Sequence, residues 1–442
     1  MSLHTFMLDA TVDNIRNSLF HHMPTSQQRD FYLWGIDANN PLRDTFLYTM
    51  STTQLINLSV FLLEDMVGSD QWKQLSRYAG RLNTYFMYEI VSDDLAIGLS
   101  PLADGDTHYP MRREILYAFN YAMKERLSGD PTPSAQVLEP LQHLTRSISG
   151  FTQSMTREHH NLILEAYLKQ HPGVAAASIE YDIWPVLVAN IELCNDLAES
   201  MHRLNTGWMV RQGFIDRYEA VTQLLESRSA LPLSELAEIG TRSILVVPTL
   251  AYYVGVLAEI LNPQADLWSL VSDGTIADAI STAALLVRLF GDIGLPLTLA
   301  ASDQKALMDA LREQHQMHPE ATDSIARLLI HSAEDKAFAA RFNHEPIMTR
   351  FHKDVAAGEF NVCLDNLAYT GTVTEGLEML GDNLAYFSQI YYQAYKHLKE
   401  VLTVVNSRMK STTVSTLIMR FVQFYAALYT KPYKTNAGEY VA

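Results

Sequence analysis

The chain has little with which to staple itself together or to grip a polyanion. Among its 442 residues are two cysteines, Cys194 and Cys363. Two cannot build a disulfide framework, so a reducing cytoplasm is the default compartment. Lys and Arg number 33 against 50 Asp and Glu, and the formal net charge is −17. Binding nucleic acid requires clustered cations over phosphates, so nucleic acid is not an expected partner. An acidic chain is still compatible with Mg²⁺, a hard cation that prefers carboxylate oxygens. Residues Met1 to Arg16 lack a basic stretch followed by an apolar one, and no signal peptide is expected. The longest apolar run, Ile244 to Leu261, is interrupted by Pro248 and Glu259 and has no flanking Lys/Arg cluster. It reads as a buried helix and not as a membrane span. There is no G-x-x-x-x-G-K-[ST] loop, no G-x-G-x-x-G after a strand, no G-x-S-x-G and no C-x-x-C. Those absences weaken nucleotide-binding, α/β-hydrolase and thiol-redox readings.

What is there is helical. In Thr275–Phe290 the apolar residues Ile276, Ile280, Ala283, Ala284, Val287 and Phe290 recur at steps of three and four, the period of a helix with one buried face. Gln54–Met66, Arg113–Leu127, Tyr181–Met209 and Asn383–Val405 behave similarly, and convincing period-2 strands are missing. Breakers fall at Leu99–Pro110, Ser128–Ser134, His171–Gly173, Asn262–Ala265 and Gly291–Pro296. Hydrophobic content of 48% with 19% charge places the chain among globular proteins. No internal repeat or linker divides it. One all-α domain over 1–442 is expected, with residues 1–84 as an optional N-terminal helical subregion.

Three places carry candidate chemistry. Tyr85-Phe-Met-Tyr-Glu-Ile-Val-Ser-Asp93-Asp94 is an aromatic, apolar segment that ends in adjacent acids. Two carboxylates at the mouth of an apolar cavity can hold Mg²⁺, which in turn grips a diphosphate. Arg242 lies just before the apolar run, and a guanidinium fork is suited to paired bonds with phosphate oxygens. Leu285-Leu-Val-Arg288-Leu-Phe-Gly-Asp292 delivers a lone carboxylate to a helix end. The local alternatives are an exposed helix end for Asp93 and Asp94, a Glu238–Arg242 pair, and an Arg288–Asp292 pair at i,i+4. Glu64-Asp65 is a second acidic pair closing an apolar segment.

In this order the three segments resemble the aspartate-rich motif, the diphosphate-sensing arginine and the second metal motif of class I terpene synthases. The resemblance spans roughly Tyr85 to Tyr433, with extra length around Tyr181–Leu225. It implies an isoprenoid-synthase-like helical bundle around a central cavity. It further implies a prenyl diphosphate bound through Mg²⁺ at Asp93 and Asp94, ionised, and cyclised through carbocations that aromatic faces stabilise. Asp93, Asp94 and Asp292 would be the catalytic acids. Arg242, Arg288, Arg420, Tyr425 and Lys431 would surround the substrate, and a homodimer would be in keeping with the family. Departures are plain. The third acid of the first motif falls near Ile97. Gly291, Leu295 and Leu299 stand where the second motif has its ligands, and Pro296 follows. No adjacent Arg-Tyr pair occurs in Arg420–Tyr433.

Two other enzyme readings stay open. One is a cyclase of the same fold that protonates a non-diphosphate polyene from Asp292 or Asp93, which requires a carboxylic acid with a raised pKa. The other is a heme-oxygenase-like di-iron oxidase. It rests on Glu199-Ser-Met-His202, with Glu165, Glu192, Glu259 and His159-His160 as further iron ligands. A scaffold that has lost its site is the non-enzymatic option. His315 and His318 have ligand-like spacing but lie in a polar connection.

Overall fold

The computed structural model describes residues 2–103, 109–149, 154–227, 229–263, 266–338, 354–355 and 357–428. Among them every regular element is helical. The helices that build and surround the site include α1 (Leu3–His21), α2 (Thr52–Leu63), α3 (Trp72–Asp94), α4 (Tyr109–Leu127), α5 (Trp184–Met201) and α6 (Gly207–Glu226). Further along the chain come α7 (Leu233–Arg242), α8 (Val246–Gly255), α9 (Thr275–Asp292), α10 (Val373–Met409) and α11 (Thr413–Leu428).

The ends of these helices follow from side chains near them. Ser2 caps α1 by accepting from the Thr5 amide at 3.2 Å. Thr372 and Glu375 form a reciprocal capping box that starts α10. Along α10, Leu377, Leu380, Leu384, Phe387, Tyr391, Leu398, Leu402 and Val405 are buried at steps of three, four or seven. That stripe packs along α9. The expected Asn383–Val405 helix is therefore the later part of a longer one.

The expected continuous helix over Tyr181–Met209 is instead two helices. The break at His202–Thr206 is made by a carboxylate from elsewhere in the chain. Glu259 accepts from the Asn205 amide (2.7 Å), the Thr206 amide (3.0 Å) and the Thr206 hydroxyl (2.9 Å), satisfying donors at the start of α6. Gly207 allows the turn, since a Cβ there would lie 2.1 Å from the Met201 carbonyl oxygen.

The apolar run at Ile244–Leu261 forms α8 and a π-helical turn, Val256–Ile260. Pro248 sits in the first turn of α8, where a missing N–H costs little. Among the described residues no single helix is long and apolar enough to cross a membrane.

Packing runs from α1 on α3, through α5, to α6, then α8, α9 and α10, with α4 against α5 and α6 and α11 against α9. Gly80 lets α3 approach α1, since a Cβ there would sit 2.8 Å from the Ala10 carbonyl. Most of the buried apolar residues form one cluster that reaches from Leu3 to Val422. A short pairing also joins distant parts of the chain. The Gly98 amide donates to the Ala357 carbonyl (3.0 Å) and the Ser100 amide to the Gly358 carbonyl (2.9 Å).

Candidate functional site

Asp93 and Asp94 end α3, as the sequence suggests, with their side chains in different surroundings. Consecutive helical residues point about 100° apart. The Asp93 side chain is 70% exposed, whereas Asp94 is buried. Asp93 lies 3.6 Å from the Arg217 guanidinium, the outer end of a buried network that the sequence did not reveal. Arg217 of α6 contacts Glu89 of α3 at 2.6 Å, and both side chains are only 6% exposed. Glu89 also accepts from Tyr218 (2.9 Å), Asn190 (2.8 Å) and Tyr85 (3.3 Å). Tyr85 and Tyr218 share a 2.7 Å hydroxyl contact. Burial, and then the Glu89 carboxylate, push both phenols and the Cys194 thiol well above their ordinary pKa ranges. All three are therefore neutral hydrogen-bonding groups and not nucleophiles. Burial opposes the Arg217 charge, but Glu89 together with smaller contributions from Tyr218, Tyr85 and Asp93 outweighs it, and the guanidinium stays protonated.

Asp292 is committed to structure. It accepts from Arg288 Nε (2.9 Å) and from the Val362 amide (2.7 Å). Its carbonyl accepts from Asn361 (2.6 Å), which also donates to Asp354 (2.8 Å). Arg288 further donates to the Phe360 carbonyl (3.2 Å) and lies over the Phe360 ring at 5.1 Å. The i,i+4 pair read from sequence thus pins the segment around 360–362 to the end of α9.

Arg420 donates to the carbonyls of Leu62 and Glu64 and so closes the end of α2. Tyr425 packs on Phe421 at 5.0 Å. Lys431 and Tyr433 lie outside the described residues. Glu64 ends α2, with Asp65 in a left-handed conformation (φ 64°).

The acids of the iron alternative are spread over different tasks. Glu199 pairs with Arg211, and His202 bonds the Glu199 carbonyl at 2.6 Å. Glu192 accepts from the Ser134 amide (3.0 Å) and pairs with Arg126 (3.0 Å). Glu259 caps α6 as described, and Glu165 is exposed. His159 and His160 pack on Tyr48 and Phe31. His315 bonds Thr322 at 2.8 Å, and His318 packs on His331. Among the described residues no three His, Cys, Asp or Glu side chains converge as a metal site.

Among the described residues predicted for the site, Arg242 is the one that lines a cleft. It ends α7, donates to Gln223 at 3.0 Å and lies 3.7 Å from Glu238. Its Nε is shielded from water and has no acceptor among the described residues. It lines a cleft of about 550 Å³ between α6, α7, α8, α9 and α10. Val247, Leu285 and Ile390 supply apolar lining, Tyr386 a ring, and Asp216 and Glu238 two carboxylates. A second cleft of about 670 Å³ adjoins it along α7 and shares Ser234, Glu238 and Arg242. Neither Asp93, Asp94 nor Asp292 lines either cleft. The helical wheel of α6 explains the separation. Asp216 and Gln223 share one face, and Arg217, which meets Asp93, lies about 100° round from Asp216.

Fold and clefts together define an all-α protein with a charged, apolar-floored recess beside a short helix. No family model, no curated protein and no solved structure matches the chain.

Proposed function

We propose that the protein receives a small amphipathic molecule in the Arg242 cleft. Its apolar body would lie on Val247, Leu285 and Ile390, and its polar head would sit among Asp216, Glu238 and Arg242. The observation that carries this reading is the pairing of apolar floor and charged rim in a recess of about 550 Å³, a volume suited to a small ligand.

A cyclase of prenyl diphosphates, built as a terpene-synthase-like bundle, is the second reading. The Arg242 guanidinium on the cleft wall favours it, because a phosphate oxygen is a strong acceptor for a guanidinium. Asp216 and Glu238 would repel a free diphosphate. Mg²⁺ held by one or two carboxylates and by phosphate oxygens would reverse that repulsion and ease departure of the leaving group. In this arrangement Asp216 and Glu238, and not Asp93 and Asp94, would meet the metal. Arg242 would orient the head group, and the Tyr386 ring would face developing positive charge.

The test is binding of C10, C15 and C20 prenyl diphosphates and their alcohols, with and without Mg²⁺, together with release of diphosphate. Ser281→Trp fills the cleft from an exposed lining position, and Arg242→Ala removes the guanidinium. Binding that Ser281→Trp abolishes supports the cleft. Mg²⁺-dependent turnover lost in Arg242→Ala supports the cyclase. Ligand binding unaffected by Ser281→Trp would overturn the site.

A further inference from the structure

The two clefts flanking α7 carry four carboxylates, Asp216, Glu226, Glu235 and Glu238, against one cation, Arg242. The Arg242 charge is already opposed by Glu238 at 3.7 Å, and one of its terminal nitrogens is taken by Gln223. Asp216, Glu226 and Glu235 have no ion pair among the described residues, and Asp216 accepts only the neutral amide of Gln212, at 2.8 Å. In the recess with the apolar floor and the Tyr386 ring, Asp216 is therefore the uncompensated carboxylate, and Glu226 and Glu235 add negative charge from the adjoining cleft. A chain of net charge −17 adds to the same field.

From this electrostatic imbalance we infer that the cleft is built for an organic cation, a protonated amine or quaternary ammonium on an apolar body. The inference rests on the cleft reading above and names the ligand class that the site prefers. An ammonium beside Asp216 and Glu238 forms charge-assisted bonds, and the Tyr386 face adds a cation–π contact. An exposed ion pair is worth roughly two- to fivefold in affinity. One such pair at Asp216 and the ring together give a preference on the order of tenfold over a neutral ligand of the same size. A phosphate head without metal meets the opposite sign.

The probes are octylammonium, 1-octanol and octyl phosphate, titrated calorimetrically against the full chain at low and high salt. The Asp216→Asn/Glu238→Gln double variant and Ser281→Trp are titrated alongside. Octylammonium is expected to bind on the order of tenfold more tightly than octanol. The preference should shrink with salt and be lost in the double variant, and octyl phosphate should bind most weakly. Equal affinity for octanol and octylammonium, both abolished by Ser281→Trp, would refute the cation preference while leaving the cleft in place. Octyl phosphate binding most tightly in the presence of Mg²⁺ would refute it in favour of the diphosphate reading. If no probe shows binding sensitive to Ser281→Trp, the cleft falls, and the cation with it.

Discussion

Replacing Asp365 by asparagine should make this protein more stable at neutral pH. Asp365 begins a short 3₁₀ turn, Asp365–Tyr369, packed against the Ile325–Glu334 helix and α10. It is 4% exposed and has no ion pair among the described residues. Burial alone raises its carboxyl from 3.8 to about 6. A rise of about two units corresponds to roughly 3 kcal/mol. For a carboxyl with a raised folded pKa, folding holds the proton more tightly than the unfolded chain does. Stability from this group is thus full below about 3.8, falls as pH rises, and is lost above about 6. Asparagine keeps the shape and cannot ionise. In urea titrations from about pH 4 to pH 8, the variant should match the wild type near pH 4. It should then gain steadily and level off about 2–3 kcal/mol above the wild type beyond pH 7. Taking the difference between the two proteins cancels the other carboxyls, such as Asp273, whose hydrogen bond from Thr275 holds it down to about 2. A difference that stays flat across this range, or that favours the wild type at pH 8, would refute the argument.

The buried network and the α9 clamp yield two further expectations. Arg217→Met strands the Glu89 carboxylate and should cost about 3–5 kcal/mol. Adding Glu89→Gln should restore more than half of that, because the bonds from Tyr218 and Tyr85 survive on a neutral acceptor. A double variant no more stable than the single one would show that the ion pair is not the coupled unit. Asp292→Ala frees both Arg288 and the Val362 amide and should cost about 2–4 kcal/mol. Hydrogen exchange at Val362 should accelerate well before that of α9 as a whole, and unchanged protection at Val362 would contradict the clamp.

The helical class was readable because it is written in local spacing. Thr275–Phe290 predicts a helix and Thr275–Asp292 is one, since Ile276, Ile280, Ala283 and Val287 advertise a single buried face. The early turns of α10 were missed because Gly376 and Gly381 dilute the apolar stripe there. The break between α5 and α6 has only a short local mark, Asn205-Thr206-Gly207, because the cap that fixes it is Glu259, from another helix. The same division holds for side chains. Arg288 with Asp292 and Glu238 with Arg242 are one turn apart, so their pairing could be read directly. Glu89 stood in plain view between Tyr85 and Asp93, but its partner Arg217 lies on a helix far along the chain. Nothing at either position signals the other. Asp216 likewise acquires its neighbours only when α6 and α7 come together.

The pairing of Gly98 and Ser100 with Ala357 and Gly358 also bears on the order of events during synthesis. Its two sides are roughly 260 residues apart, which at ~5–20 residues per second separates their appearance by roughly 13–50 s. Over that interval the stretch after α3 must wait without the backbone partners it has in the finished molecule. The clamp on Asp292 waits less, because Asn361 and Val362 follow it more closely. A single late stretch of chain therefore latches two helix ends made at different times, so the nascent protein cannot close this seam gradually. Ribosome-bound chains halted before and after residue 362 should differ abruptly in how readily a protease cuts just beyond Asp94.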